Sequence, residues 1–283
     1  MSLPPVTFIS SLHNCLPHTR AMLSSLEATV DLPAHQLVLI DDASSDGTPA
    51  FLRTLAPRPE ITLLANASNL GFAASNNKAA AAARHEILLF VNNDLEFAPG
   101  WLPPLLDALQ SAPQAGAVGN VQRNYASGLV DHAGIFFDLE GLPTHAHKNR
   151  RHPPAGTLIE RNAVTAACLA IRKETFFQVG GFDEAYRNGS EDVDLSLKLK
   201  SRGYRLYVAL QSVIRHHISV SPGRNNHNDR NTEIFRQRWA QHAARYGRKE
   251  WPREYFRRYA RYWWRMNPRL AARALLILLR LRS

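Results

Sequence analysis

Short apolar runs separated by amphipathic stretches about ten residues long fill the first 111 positions, and that rhythm limits the fold more than any other feature. Residues 6–11, 36–40, 61–65 and 86–91 read as buried strands. Residues 19–28, 46–55, 75–84 and 99–111 read as the helices that follow them. Strands alternating with helices of this length form a mostly parallel sheet with helices on both faces, an α/β architecture. Ligands of such sheets bind beyond the carboxyl ends of the strands. His13-Asn14, Asp41-Asp42 and Asn92-Asn93-Asp94 all stand where the chain leaves a strand, so they meet on one edge. Taken alone, each is also ordinary turn or helix-capping chemistry. Three on one edge mark a binding cleft.

The pattern weakens after residue 120. Residues 120–159 are rich in Gly, Pro and His and read as loops with a short hairpin around 134–139. Beyond them, 163–171 reads as a small-residue strand, 174–179 as a short helix broken by Gly180-Gly181, and 204–209 as a strand. Between these, 192–201 reads as a helix capped near Ser190 and stopped by Gly203.

The formal charge of +10 is unevenly spread. Residues 222–283 hold 16 Lys and Arg against 4 Asp and Glu, which leaves 18 basic against 20 acidic residues before them. A nucleic-acid-binding protein would carry its basic surface within the folded domain, so the near-neutral residues 1–221 argue against nucleic acid as a partner. The basic end interleaves arginines with Trp239, Tyr246, Trp251, Tyr255, Phe256, Tyr259, Tyr262, Trp263 and Trp264 and closes on leucines. Such a segment suits an amphipathic helix in an anionic membrane interface. A helix pair packed on the catalytic domain or on a second subunit is the alternative. The start of the chain carries no positive charge and leads directly into a strand, which predicts no signal peptide. No apolar run reaches the roughly 18 residues of a membrane span. Cys15 and Cys168 lie in apolar segments without metal-ligand spacing, which predicts reduced thiols in the cytosol.

Three groups carry chemistry. Asp94 ends a strand beside two amides, where a hard cation such as Mg²⁺ or Mn²⁺ is held by one or two carboxylates together with substrate phosphates. Glu191, Asp192 and Asp194 crowd the first turn of a helix after the loop Arg187-Asn188-Gly189. The helix dipole favours acids there, so plain N-terminal capping is one explanation. The other is that crowded like charges leave one carboxylate able to take a proton from a sugar hydroxyl, with Asp194 turned away to serve the helix. His216 and His217 follow the last strand, where metal or phosphate contact is as plausible as simple packing.

These segments carry a resemblance. The chain resembles the family 2 glycosyltransferases, with the GT-A fold, over residues 5–222. The matching residues are 40–48 around Asp41-Asp42, Asn69-Leu70-Gly71-Phe72-Ala73 with Asn76-Asn77, Asn92-Asn93-Asp94, Gly180-Gly181-Phe182-Asp183-Glu184, Glu191-Asp192-Val193-Asp194-Leu195, and His216 with Ser219 and Ser221. The resemblance implies a catalytic domain at 1–221, with a nucleotide-sugar-binding half at 1–115 and an acceptor and catalytic half at 116–221. A helical basic extension follows at 222–283. It implies that Ser11 and His13 border the nucleotide base, although the family commonly has an aromatic where His13 stands. It further implies that Asp42 bonds the uracil or thymine ring, Asn77 helps hold the donor, Asn93 reaches the ribose, and Asp94 and His216 bind Mn²⁺ or Mg²⁺. Asp94 does so alone within a motif that is often Asp-x-Asp. The Asn-Asn-Asp form is similar to the rhamnosyltransferase-type branch. Asp192 would be the catalytic base of an inverting transfer, and Glu191 an acceptor contact. The implied partners are a UDP- or dTDP-sugar donor, a glycan or lipid-linked saccharide acceptor, and the cytoplasmic face of a membrane, in bacterial cell-surface polysaccharide synthesis.

Overall fold

The computed structural model describes residues 3–218, 227–260 and 262–279. β1 (Val6–Leu12) leads into α1 (Leu16–Glu27), β2 (Gln36–Asp41) into α2 (Thr48–Leu55), and β3 (Ile61–Ala65) into α3 (Phe72–Ala81). β4 (Ile87–Val91) reaches α4 (Leu102–Ser111) through the two-residue β5 (Leu95–Glu96). The strands pair in parallel in the order β3-β2-β1-β4. Every residue of β2 and β4 is buried, because helices cover both faces of the sheet. On one face Phe8, Leu39 and Leu89 pack against Trp101 and Leu105 of α4. On the other, Ile9, Val38 and Phe90 pack with Phe176 and Phe182.

The second half turns the sheet mixed. Its elements are β6 (Ala115–Asn124), β7 (Val130–His132), the hairpin β8 (Ile135–Phe137) and β9 (Pro143–His145), β10 (Leu158–Arg161), β11 (Cys168–Arg172), α5 (Lys173–Gln178), α6 (Glu191–Ser201) and β12 (Arg205–His216). The sheet order is β10-β12-β6-β11-β4-β1-β2-β3. β11 lies antiparallel between β4 and β6, while β12 runs parallel to β6.

Several boundaries differ from the sequence expectation. The hairpin falls near its predicted place, but β6 occupies ten residues that carry no strand signal. Its residues are small because others lie across them: a Cβ on Gly116 would meet Tyr204 Cβ at 2.6 Å, and one on Gly119 would meet Val164 at 3.1 Å. The strand expected at 163–171 begins only at Cys168, and the residues before it form a loop. The strand expected at 204–209 continues to His216, because β6 and β5 both extend its pairing.

The C-terminal extension forms α7 (Asn228–Phe235), a π-helical turn at Arg236–Ala240, α8 (Gln241–Tyr259) and α9 (Pro268–Leu278). Phe235 and Ala243 join a core cluster with Ile135, Phe137, Tyr186, Val193 and Leu197. Backbone meets backbone here: a Cβ on Gly247 would stand 1.9 Å from the Asp138 carbonyl oxygen. Of the two expectations for this segment, packing on the domain holds for α7 and α8. α9 buries only Ala274 among its described residues.

Candidate active site

The carboxyl ends of the strands open on a cavity of about 420 Å³. Ser11, His13, Asp42, Asn93, Asp94, Glu191, Asp192 and His216 all line it.

The loops that follow β1 and β2 are laced together. Asn14 Oδ1 accepts from the Ser45 and Asp46 amides at 2.8 and 3.2 Å, and His13 Nδ1 lies 2.9 Å from the Asp42 carbonyl oxygen. The buried Asp42 carboxylate accepts from the amides of Leu70 (2.8 Å) and Gly71 (2.9 Å) and from Asn66 Nδ2 (2.9 Å). It thereby fixes the loop in which Gly71 turns at φ 87 to start α3. A carboxylate offers about four lone-pair sites, so capacity remains for a ring N–H. Ser11 Oγ accepts from Asn76 Nδ2 at 2.9 Å, and Asn93 Nδ2 donates to Thr19 Oγ1 of α1 at 3.1 Å.

Asn77 does not line the cavity. Its Oδ1 accepts from the Phe182 amide (3.0 Å), and its Nδ2 donates to the Phe182 carbonyl (2.8 Å) and to Glu184 (3.0 Å). The side chain therefore clamps the turn after Gly181, and the help in holding the donor that the resemblance implies would act through that turn.

Asn188, Gly189 and Ser190 take φ values of 57°, 153° and 76° in succession, directly before α6. Such a run persists only where its surroundings over-determine it. Here the Phe72 amide donates to Asn188 Oδ1 (3.0 Å), and the Gly189 amide donates to Glu191 Oε2 (2.6 Å). Ser190 is the N-cap, but its hydroxyl makes no capping bond. The turn delivers half-buried Asp192 to the cavity, where its Oδ2 accepts from the Ala166 amide at 3.2 Å. Asp194, 1% exposed, points elsewhere, bonding Trp239 Nε1 at 2.7 Å and Lys198 Nζ at 2.8 Å.

Asp94 Oδ1 lies 3.2 Å from His216 Nε2, with both side chains buried. His217 turns away, pairing with Glu96 at 2.8 Å and stacking on Tyr125. Ser219 and Ser221 lie outside the described residues. Among the described residues, five carboxylates, Asp42, Asp94, Asp131, Glu191 and Asp192, line the cavity against one lysine, Lys148. A diphosphate in such surroundings needs a cation between it and the acids. His216 Nδ1 has no hydrogen bond among the described residues and Nε2 faces the Asp94 carboxylate, so the imidazole could ligate beside it. No group of three or more potential ligands is gathered among those residues. A Mg²⁺ or Mn²⁺ held partly by substrate phosphates needs none, so Asp94 and His216 fit that role.

The sequence motifs missed Asp131, His145 and Lys148, which come from the β7 to β9 region. Lys148 Nζ pairs with buried Asp131 at 3.2 Å, and His145 Nδ1 lies 3.3 Å from the Asp131 carbonyl oxygen. Burial is the main cause that lowers the pKa of His145. His132, packed edge-on against it, is pushed well below the usual histidine value by burial and then by His145. The only sequence signal was an unusual density of histidine in a stretch without periodicity.

Residues 7–175 match the family model described as glycosyl transferase family 2. Among similar proteins, the O-antigen biosynthesis protein RfbC of Myxococcus xanthus is 32% identical over 77% of this chain and 18% of its own. An N-acetylglucosaminyl-diphospho-decaprenol L-rhamnosyltransferase of Mycobacterium tuberculosis is 29% identical, covering 74% of this chain and 75% of that one. The chain thus spans less than a fifth of the first relative and three quarters of the second. A solved mannosyltransferase, PcManGT from Pyrobaculum calidifontis in complex with GDP-Man and Mn²⁺, superposes with a TM-score of 0.59 at 19% identity, over all of this chain and 82% of that one. The α/β fold with its helical extension is of the GT-A kind. By its matching segments and their place around one cavity, the chain belongs to glycosyl transferase family 2.

Proposed function

We propose that the chain transfers a sugar from a nucleotide-diphosphate donor, UDP- or dTDP-linked, to a hydroxyl of a glycan or lipid-linked saccharide, with inversion at the anomeric carbon. The observation that carries this reading is the carboxylate of Asp192, fixed by the Ala166 amide in the cavity that Asp94 and His216 also line. The acceptor hydroxyl gives its proton to Asp192 while its oxygen attacks the anomeric carbon on the face away from the diphosphate. The bond from that carbon to the diphosphate oxygen breaks, and the electron pair leaves with the phosphate. General-base help of this kind contributes about 10²- to 10⁴-fold. Asp94 and His216 would hold a Mn²⁺ or Mg²⁺ ion, which neutralises charge on the leaving diphosphate. Ser11, His13, Asp42 and Asn93 line the part of the cavity assigned to the nucleoside, and Glu191 meets the acceptor.

Synthesis of a cell-surface polysaccharide is supported by the O-antigen and rhamnosyltransferase relatives, and a lipid-linked acceptor by the decaprenol in the second one's name. No helix among the described residues is long and apolar enough to cross a membrane. We assign attachment to the cytoplasmic face of a membrane to the exposed side of α9 and the tryptophans before it.

The test begins with a panel of UDP-, dTDP- and GDP-sugars screened for Mn²⁺-dependent hydrolysis and thermal stabilisation. With the donor identified, Asp192→Asn is expected to bind it like the wild type and to lose at least about 100-fold in transfer. Turnover close to normal in that variant would sink the assignment.

A further inference from the structure

A second, smaller groove of about 80 Å³ adjoins the active-site cavity. His145 and Lys148 line both, so the two spaces share a wall, and Lys148 reaches from it to Asp131 of the larger cavity. One side of the groove comes from the turn after β9, where His147 and Asn149 stand at φ 61° and 64°. This turn is tied to β7: the Asn149 amide donates to the Val130 carbonyl at 2.7 Å, and the Val130 amide donates to the Arg150 carbonyl at 2.8 Å. Two non-glycine residues held left-handed are a cost that a plain connecting loop avoids. The turn presents Lys148 and Arg150 to the groove.

The other side is α8, which contributes Glu254, Arg257 and Arg258. The guanidinium of Arg150 donates to the Arg257 carbonyl, which joins the two sides. Among the described residues four cations line the groove with one carboxylate, Glu254, which is bonded to Arg257, while Lys148 is shared with Asp131 of the neighbouring cavity, so the basic groups remain in excess. His147 adds no charge: burial, then Arg161, Arg257 and Arg150, push its pKa down, and its Nδ1 has no hydrogen bond among the described residues. Basic side chains on a solvated face spread apart. Here they converge on one groove beside a cavity lined by acids, an arrangement that suits phosphate oxygens on guanidinium and ammonium groups.

We propose that this groove binds a phosphate or diphosphate group carried by the acceptor, and so seats the attached saccharide near Asp192. The inference rests on the glycosyltransfer reading above. Phosphate could reach the groove from an acceptor or from the headgroup of an anionic lipid, and the test separates the two sources.

The full chain, saturated with UDP and Mn²⁺ so that the donor site is filled, is titrated with farnesyl diphosphate by calorimetry, with farnesol as the control. The expected result is binding of the diphosphate but not of the alcohol, weakened at least about tenfold in the double variant Arg257→Gln, Arg258→Gln. UDP affinity and donor hydrolysis should be unchanged in that variant. Equal binding of farnesol, or equal binding by the variant, overturns the proposal. A variant that binds farnesyl diphosphate normally yet loses phosphatidylglycerol vesicles assigns the groove to a headgroup and overturns it too. If none of UDP, dTDP and GDP binds, the glycosyltransfer reading falls together with this one; if one of them binds, fills the donor site in UDP's place and the diphosphate still does not bind, only this one falls.

Discussion

Asn231, 2% exposed in the C-terminal extension, holds Arg187 by both of its backbone groups. The Arg187 amide donates to Asn231 Oδ1 at 3.1 Å, and Asn231 Nδ2 donates to the Arg187 carbonyl at 2.8 Å. The next residue begins the left-handed run that launches α6, so the extension helps set where Asp192 stands. Asn231→Ala leaves both Arg187 groups unpaired and is expected to cost about 2 kcal/mol of stability. Transfer should fall about tenfold or more, since small displacements of a reacting group are expensive. UDP affinity should hold. Melting curves, turnover and a UDP titration check this, and normal turnover would show that the clamp has no part in placing α6.

The strand-end residues were legible because a parallel sheet covered on both faces leaves continuous apolar runs, and polar groups after such runs share an edge. That is why Asp42, Asp94 and Asn93 fell in the cavity as read. β6 was not legible. Its Gly116 and Gly119 are required by Tyr204 and Val164, contacts about 90 and 45 residues away along the chain that no local propensity encodes. The partners of Asn77 were not legible for a similar reason: the amide belongs to a familiar motif, but it bonds to the turn at Phe182, 105 residues away along the chain. In the extension, aromatics at helical spacing look alike whether they face a domain or a membrane. Trp239 turns inward to Asp194, while Trp263 and Trp264 turn outward.

The pairing of Asp94 with His216 predicts a metal-dependent stabilisation. A ligand at about 100 times its dissociation constant stabilises the state that binds it by about 2.7 kcal/mol. Mn²⁺ with UDP should therefore raise the melting temperature of the wild type clearly above either alone. Asp94→Asn and His216→Ala should each abolish most of the Mn²⁺-dependent part while folding normally. A full Mn²⁺ response in Asp94→Asn would remove that carboxylate from the metal site.

Acid should expose the neutral state of His147. Burial, followed by Arg161, Arg257 and Arg150, pushes its pKa from 6.5 down to about 4. As pH falls through 6.5 the unfolded chain takes up a proton that the folded chain refuses until about pH 4. The unfolded state thus binds more protons in that window, and stability rises with pH across it. The contribution is complete above the unfolded value and is lost on acidification. His147→Asn keeps a residue type that tolerates positive φ and removes the titration. Its melting temperature should fall less steeply than the wild type's between pH 6.5 and 4. His132 and His145, also lowered by burial, will leave a residual slope. Parallel profiles in the two proteins would refute the assignment.

The outward side of the last helix predicts membrane binding. Trp263 is 68% exposed, Trp264 63% and Leu279 57%, beside the exposed Leu275 and Leu278. Arg265, Arg269 and Arg273 lie within the same segment. Amphipathic aromatics enter the headgroup region, and each nearby cation adds about 1 kcal/mol on an anionic surface. The full chain should therefore co-sediment with phosphatidylglycerol vesicles, more weakly with phosphatidylcholine, and less as salt rises. Trp263→Ser with Trp264→Ser and Leu275→Ser should lose most of this binding. The melting temperature should stay unchanged, because these side chains are exposed already. Should the triple variant bind vesicles as before but lose a dimer on gel filtration, the same face would be a contact between subunits, and the membrane assignment would be wrong.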